Sequence, residues 1–273
     1  MSNRLNQSSS PRRRIRKQKS PLIRLVNVGI VALVVFYFGT LLFSEVERDA
    51  ETLCRLDRAF SRDTAVLVDA TEAYSPAHTN QISTLLQNIL ANAQVDEKFT
   101  FYSLGDAVNL YLPSFSICNP GDGSDQGELT TEQRRLFTDW KDNFHRRILS
   151  SIEALAEKEA TDQSPIMEMI QYVTNQTRFT SPEIQKRLII VSDMIHSTPS
   201  YSHYRDSKNF ESVKNTDYQT GVQAYLTNVD VDVLYVQRPQ LLAIQNRDHI
   251  ESFWRPFVNS YGGRIVSVDR VNL

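Results

Sequence analysis

Residues Leu25 to Phe43 run for nineteen positions without a charged side chain. As a helix, that run spans about 28 Å at ~1.5 Å per residue, close to the ~30 Å hydrocarbon core of a bilayer. Asn27 and Thr40 fall near its ends, where polar groups cost least, and Gly29 and Gly39 are tolerable in membrane helices. A helix buried in a globular core rarely goes about five turns without a charge. A cleaved signal peptide would have a shorter apolar region of roughly 7–15 residues and a small-x-small cleavage site. Here the run ends Leu-Leu-Phe-Ser-Glu-Val-Glu. The sequence therefore predicts one uncleaved signal anchor, residues 25–43.

Charge sets the expected orientation. Arg4, Arg12, Arg13, Arg14, Arg16, Lys17, Lys19 and Arg24 precede the run, and residues 1–24 hold no acid. The whole chain is at −2, so these eight basic groups leave the remainder at −10. Basic flanks stay on the cytoplasmic side, which predicts a cytoplasmic tail over 1–24 and everything after the span outside. Such a cluster also suits nucleic acid, but its orienting role already accounts for it, and no nucleic-acid partner is expected. The predicted organisation is tail 1–24, membrane helix 25–43, connector 44–62 and folded domain 63–273. The expected location is the inner membrane of a bacterium, with the domain periplasmic or extracellular.

Cys54 and Cys118 both lie after the span. An oxidising compartment permits a disulfide, and closing a loop of about 65 residues would stabilise by roughly 4 kcal/mol in the chain-entropy model. The alternative is two unrelated buried thiols; the even count and the compartment favour the bridge. With no close histidine the pair makes a poor zinc site.

Beyond residue 63 the pattern alternates. Thr64–Asp69 (TAVLVD) and Arg187–Asp193 (RLIIVSD) are short apolar runs that end in an acid, as buried parallel strands do. Lys98–Ser103, Val108–Ile117, Val231–Val236 and Arg264–Val268 read as further strands. Helical patterns cover His78–Ala93, Thr131–Glu159 with a break near Ser150, Ser164–Asn175, Tyr218–Leu226, and Leu241–Tyr261 closed by Gly262-Gly263. Trp140 and Trp254 fall in helical patterns and read as core or half-core residues. The predicted class is α/β, a doubly wound, mostly parallel sheet with helices on both faces, preceded by the membrane helix. Ligands of such sheets bind beyond the carboxyl ends of the strands, where the strand order reverses. Asp69 and Asp193 are placed to meet there.

The layout, with TAVLVDATEA early and RLIIVSDMI later, resembles a von Willebrand factor A-type domain over about residues 60–270. The resemblance implies a metal-ion-dependent adhesion site on the sheet's top edge. Its first motif aligns with Asp69-Ala70-Thr71-Glu72-Ala73, where Asp69 and Thr71 match and Ala73 lacks the expected hydroxyl. The middle loop aligns with Asp162-Gln163-Ser164-Pro165-Ile166, with Ser164 at the usual threonine position. Asp193 matches the acid of the fourth strand, and Met194 replaces a frequent glycine. The implied ligand set is Asp69, Thr71, Ser164 and Asp193, and the implied ion is Mg²⁺, which wants six oxygens. Glu72 and Ser75 lie nearby at the wrong spacing. The alternative is that the two acids merely cap neighbouring helix N-termini.

Other chemistries find less support. There is no Gly-x-x-x-x-Gly-Lys-Ser/Thr loop, no Gly-x-Gly-x-x-Gly after a strand, and no Gly-x-Ser-x-Gly elbow. A haloacid-dehalogenase-like phosphatase would carry a second acid where Thr71 stands. The loop His196–Tyr204 (HSTPSYSHY) offers two readings: His196, Tyr201, His203 and Tyr204 form a recognition surface, or they pack over the loop itself. Asn175-Gln176-Thr177 is a glycosylation sequon, relevant only in a eukaryotic secretory host. No enzymatic activity is expected. The expected function is a membrane-anchored module that binds a protein partner of an envelope assembly through the edge bearing Asp69 and Asp193. The alternatives are a scaffold with a vestigial metal site and, less favoured, a phosphatase-like hydrolase.

Overall fold

The computed structural model describes residues 21–42, 46–71, 73–104, 113–124, 131–155, 161–175 and 184–272. Residues 1–20 of the basic tail, Glu72 and the last two sequon positions lie outside them. The chain divides into two units, Met1–Val46 and Glu47–Leu273. In the first, Pro21–Leu42 forms helix α1. Its described side chains, residues 26–37, are exposed and uncharged, and cover about 18 Å at ~1.5 Å per residue. Among the described residues no helix is long and apolar enough to cross a membrane.

The second unit is built on a six-stranded sheet in the order β3-β2-β1-β4-β5-β6. Its strands are β1 Arg62–Asp69, β2 Glu97–Leu104, β3 Phe115–Cys118, β4 Gln185–Ser192, β5 Val229–Val236 and β6 Arg264–Val271. All neighbours pair in parallel except β2 and β3. The sequence grows outward from β1 in one direction and from β4 in the other, so the order reverses between these two central strands. Val68 pairs with Val191, which brings Asp69 and Ser192 side by side at the carboxyl edge.

Alternate side chains of the strands feed two cores, as a pleated sheet covered on both faces requires. Val66 and Val68 of β1, with Ile189 and Val191 of β4, meet Ile82, Leu86 and Leu90 of α2 (Pro76–Ala91) and Ile148 of α4 (Arg146–Leu155). Ala65 and Leu67, with Leu188 and Ile190, meet Ile166 and Ile170 of α5 (Ile166–Thr174) and Phe257 of α7 (Arg255–Ser260). The remaining helices are α3 Thr131–Thr138 and the five-residue α6 Asp217–Gly221.

Several expected boundaries shift. Helical structure runs from α3 through a π-helical stretch, Asp139–His145, into α4 without a break at Ser150, because Phe144 and Ile148 stay on one buried face. The early part of the strand expected over Val108–Ile117 lies outside the described residues, and β3 begins at Phe115. The helix expected over Tyr218–Leu226 ends at Gly221, since Val222, Ala224 and Leu226 are all drawn into the core along an extended path. The helix expected from Leu241 is regular only from His249. At its far end Gly262 takes φ +85°, and a Cβ on Gly263 would lie 2.9 Å from Leu226 Cβ, so the Gly-Gly pair suits the turn into β6.

Cys54 and Cys118 form the expected disulfide, with Cα atoms 4.8 Å apart and a sequence separation of 64. The connector is further sewn down by the Cys118 amide donating to Thr52 O at 2.8 Å and by an Arg48–Asp96 ion pair at 2.7 Å. Serine at both positions is expected to lower unfolding free energy by about 4 kcal/mol at most, read from urea denaturation. Two alkylatable thiols in unreduced protein from its native source would contradict the bridge.

Candidate functional site

The reversal between β1 and β4 places Asp69, Ser192 and Asp193 at one point on the edge. Asp69 is buried. Its Oδ1 accepts from the Thr71 amide (3.0 Å) and the Thr71 hydroxyl (2.6 Å), and its Oδ2 accepts from Ser192 Oγ (2.7 Å) and Ser164 Oγ (3.1 Å). Four donors around one carboxylate match its lone-pair capacity. The middle loop is brought in by the backbone: Thr161 N donates to Thr71 O, and Ser164 and Ser197 exchange amide–carbonyl bonds. Thus Asp69, Thr71 and Ser164 converge as the sequence implied. Ser192 joins them, which the sequence reading of this site missed; a serine at the end of a buried strand, next to an expected ligand, is the signal that could have found it. Tyr74, whose hydroxyl donates to Asp69 O, had none.

Asp193 lies one residue beyond β4 and faces a group the sequence reading did not single out. Arg238, just past the end of β5, donates from Nε to Asp193 Oδ2 at 3.2 Å and from Nη1 to Ala73 O at 3.1 Å. Both side chains are largely buried, 11% and 7% exposed. Gln245 fixes the arginine's backbone: its Oε1 accepts from Arg238 N at 2.7 Å, and its Nε2 donates to Asp193 O and Val236 O. His78, at the start of α2, is pushed below its ordinary imidazole value by burial and then by the Arg238 charge. Ser75 is not a ligand here; it caps α2 by accepting from His78 N. The only sign of Arg238 in the sequence is a charge two residues past an apolar strand.

This geometry tests the expected ion. Mg²⁺ needs near-octahedral oxygens at about 2.0–2.1 Å and gives up its waters reluctantly. Asp193 is already neutralised by a fixed guanidinium, and both oxygens of Asp69 already accept two hydrogen bonds each. Among the described residues no group of three His, Cys, Asp or Glu side chains is placed to hold a metal. As arranged, Asp69, Thr71, Ser164 and Asp193 do not fit a divalent ion.

Met194 takes φ 59°, the left-handed conformation that glycine adopts freely and that costs other residues about 1–2 kcal/mol. It is held there by its buried side chain and by Trp254 Nε1, which donates to Met194 O at 2.8 Å. Trp254 is fully buried, as its helical pattern implied, and Trp140 is half-buried.

The loop after Met194 turns inward. His196, Tyr201 and His203 are buried, and only Tyr204 is exposed, at 48%. The expectation of a recognition surface built on all four is corrected: of the four Tyr204 stays exposed, and aromatic neighbours Phe253, Trp254 and Tyr218 draw His196, Tyr201 and His203 into the core. There they form a polar chain. Tyr218 donates to Glu168 Oε1 at 2.5 Å, and His196 Nε2 bonds Tyr218 at 2.7 Å while His196 Nδ1 accepts from Met167 N. His203 Nδ1 accepts from His196 N and pairs with His249 Nε2 at 3.0 Å, and His249 Nδ1 pairs with Tyr235 at 2.9 Å. Backbone N–H groups donate to Nδ1 of His196 and His203, so both of those rings are neutral at that nitrogen.

A cleft of about 810 Å³ lies at the other edge of the sheet. Three of the basic groups lining it are already paired, Arg62 with Glu97, Arg187 with Asp232 and Arg264 with Asp230.

No protein-family model matches the chain, and no curated protein matches it. Solved structures similar to it include an aerotolerance-related membrane protein from Bacteroides fragilis (10% identity, TM-score 0.34), with 77% of this chain and 91% of that one covered. They also include the conserved hypothetical protein BatB from Bacteroides thetaiotaomicron (14%, TM-score 0.36), covering 77% and 90%. The human COPII-coat protein Sec24c matches at 11% and TM-score 0.39, with 80% of this chain but 30% of that one covered. Superpositions this loose carry no functional information. The class of this domain rests on its own strand order, a doubly wound α/β sheet with a closed polar edge at the switch point.

The buried histidines generate a pH prediction. Burial pushes His196 down to about 3 and His249 down to about 4, and it holds His203 well below the ordinary value, helped by the neighbouring His249 and His196. Below the ordinary value of 6.5 the unfolded chain takes up protons that the folded chain refuses, so stability falls as pH drops from 6.5 toward 4. Three such groups give a slope of up to about 4 kcal/mol per pH unit. Urea midpoints at pH 7.5 and 5.5 should differ strongly, and equal midpoints would contradict neutral buried rings.

Proposed function

We propose that this protein is a non-enzymatic docking module of von Willebrand factor A type, anchored by residues 25–43 in a membrane and facing away from the cytoplasm. The observation that carries the reading is the closed edge. Asp69, Ser164, Ser192, Asp193 and Arg238 satisfy one another and form a rigid floor rather than an open constellation of acid, base and nucleophile. On that floor sit the loops after β4 and β5, residues 194–206 and 237–248, which expose Tyr204 at 48% and Leu242 at 52%. An exposed aromatic and a large aliphatic group on supported loops are suited to protein contact. A cavity of about 280 Å³, lined by Gln163, Pro165, Glu168, Thr198 and Tyr218 among others, opens beside the same loops and suits a partner side chain. The anchor is supported by the uncharged run and its basic flank, and the outward orientation by the disulfide.

A photo-crosslinking amino acid placed at Tyr204 or Leu242 of the full chain in its native membrane is expected to give discrete protein adducts. The same probe at Val95, equally exposed but at the amino end of β2, is expected to give none. Adducts at Val95 alone would move the docking surface to the other end of the sheet.

For orientation, a reporter active only in the cytoplasm and fused after residue 273 is expected to be silent. A cytoplasmically active fusion would reverse the proposed topology.

A further inference from the structure

We propose that Arg238 is the resident cation of the edge: its guanidinium takes the place of a divalent metal ion and makes the site metal-independent. The observation is a juxtaposition of three chain segments around one positive group. Asp193 comes from the end of β4, the carbonyl of Ala73 from the segment between β1 and α2, and the arginine from the end of β5. The guanidinium binds the acid at 3.2 Å and the carbonyl at 3.1 Å. That carbonyl belongs to the residue whose side chain lacks the hydroxyl the resemblance leads one to expect.

Charge and geometry agree. A second cation beside this guanidinium would meet a fixed positive charge in a site of low exposure, where repulsion is weakly screened. It would have to displace Arg238 from Asp193, leaving the arginine buried without its acid, a costly arrangement. Swinging the guanidinium aside would break its bonds to both Asp193 and Ala73, and Gln245 fixes the backbone from which it reaches them by holding the Arg238 amide, the Asp193 carbonyl and the Val236 carbonyl together. His78 adds a group whose protonation that charge already disfavours. The remaining acid, Asp69, has its donors supplied by Thr71, Ser164 and Ser192. The carboxylate oxygens implied as metal ligands are thus engaged by protein donors. This inference stands on the geometry of the edge, whether or not the edge docks a partner.

The test uses Mn²⁺, which is visible by electron paramagnetic resonance, on the purified full-length chain, with thermal melting as a second readout. Wild type is expected to bind no Mn²⁺ up to about 1 mM and to shift its melting temperature by less than ~1 °C with Mn²⁺ or chelator. Arg238→Gln combined with Ala73→Ser removes the charge and restores the hydroxyl. It is expected to bind one Mn²⁺ at least about tenfold more tightly than wild type and to melt higher with the ion. Arg238→Lys retains the charge and is expected to exclude the ion as wild type does, which keeps the comparison open should the double variant fold poorly. Stoichiometric Mn²⁺ binding by wild type below ~1 mM overturns the proposal. So does a well-folded double variant that binds no metal, because the edge would then not be a cation site at all.

Discussion

The ion pair between Arg238 and Asp193 is the interaction on which the edge depends. It joins the ends of β4 and β5 and, through Ala73, the segment leading to α2. Removing either partner would leave the other charge buried and uncompensated, at a cost of roughly 3–5 kcal/mol. Its value lies less in net stability than in specifying one arrangement. Parallel strands end in loops that could pack in several ways, and a single salt bridge with Gln245 behind it selects one of them.

Behind that pair stands a buried polar wall. The chain from Glu168 through Tyr218 and His196, and from His203 through His249 to Tyr235, ties α5, the loop after β4 and the helical segment from His249 to the sheet. His196 and His203 each accept a backbone N–H at Nδ1, so the network holds only while those two rings are neutral. The loop that follows Asp193 is therefore a structural partition, and the surface it leaves to solvent is narrow.

Much of the architecture was legible in the sequence because it depends on local apolar pattern. TAVLVD and RLIIVSD are buried over nearly their whole length, and their register follows from parallel pairing. Asp69 and Thr71 are neighbours in sequence, and Ser164 reaches them through backbone bonds between its loop and Thr71 and Ser197, at the position the resemblance implied. The disulfide followed from cysteine count and compartment. What the pattern could not show was pairing between distant polar groups. Arg238 follows β5 as an ordinary surface charge would, and only folding reveals that it reaches Asp193, forty-five positions away. The His196–Tyr204 loop reads as polar and displayed, yet an aromatic wall from the segment around Phe253 and Trp254 buries most of it. Met194 keeps a left-handed backbone without glycine because its side chain and its carbonyl are both held.

The most direct test of the account is a crystal structure of the wild-type protein grown or soaked with Mn²⁺ and measured for anomalous scattering. The account predicts the Arg238 guanidinium against Asp193 and Ala73, with no anomalous peak between Asp69 and Asp193. An anomalous peak there, with Arg238 turned out of the edge, would contradict it.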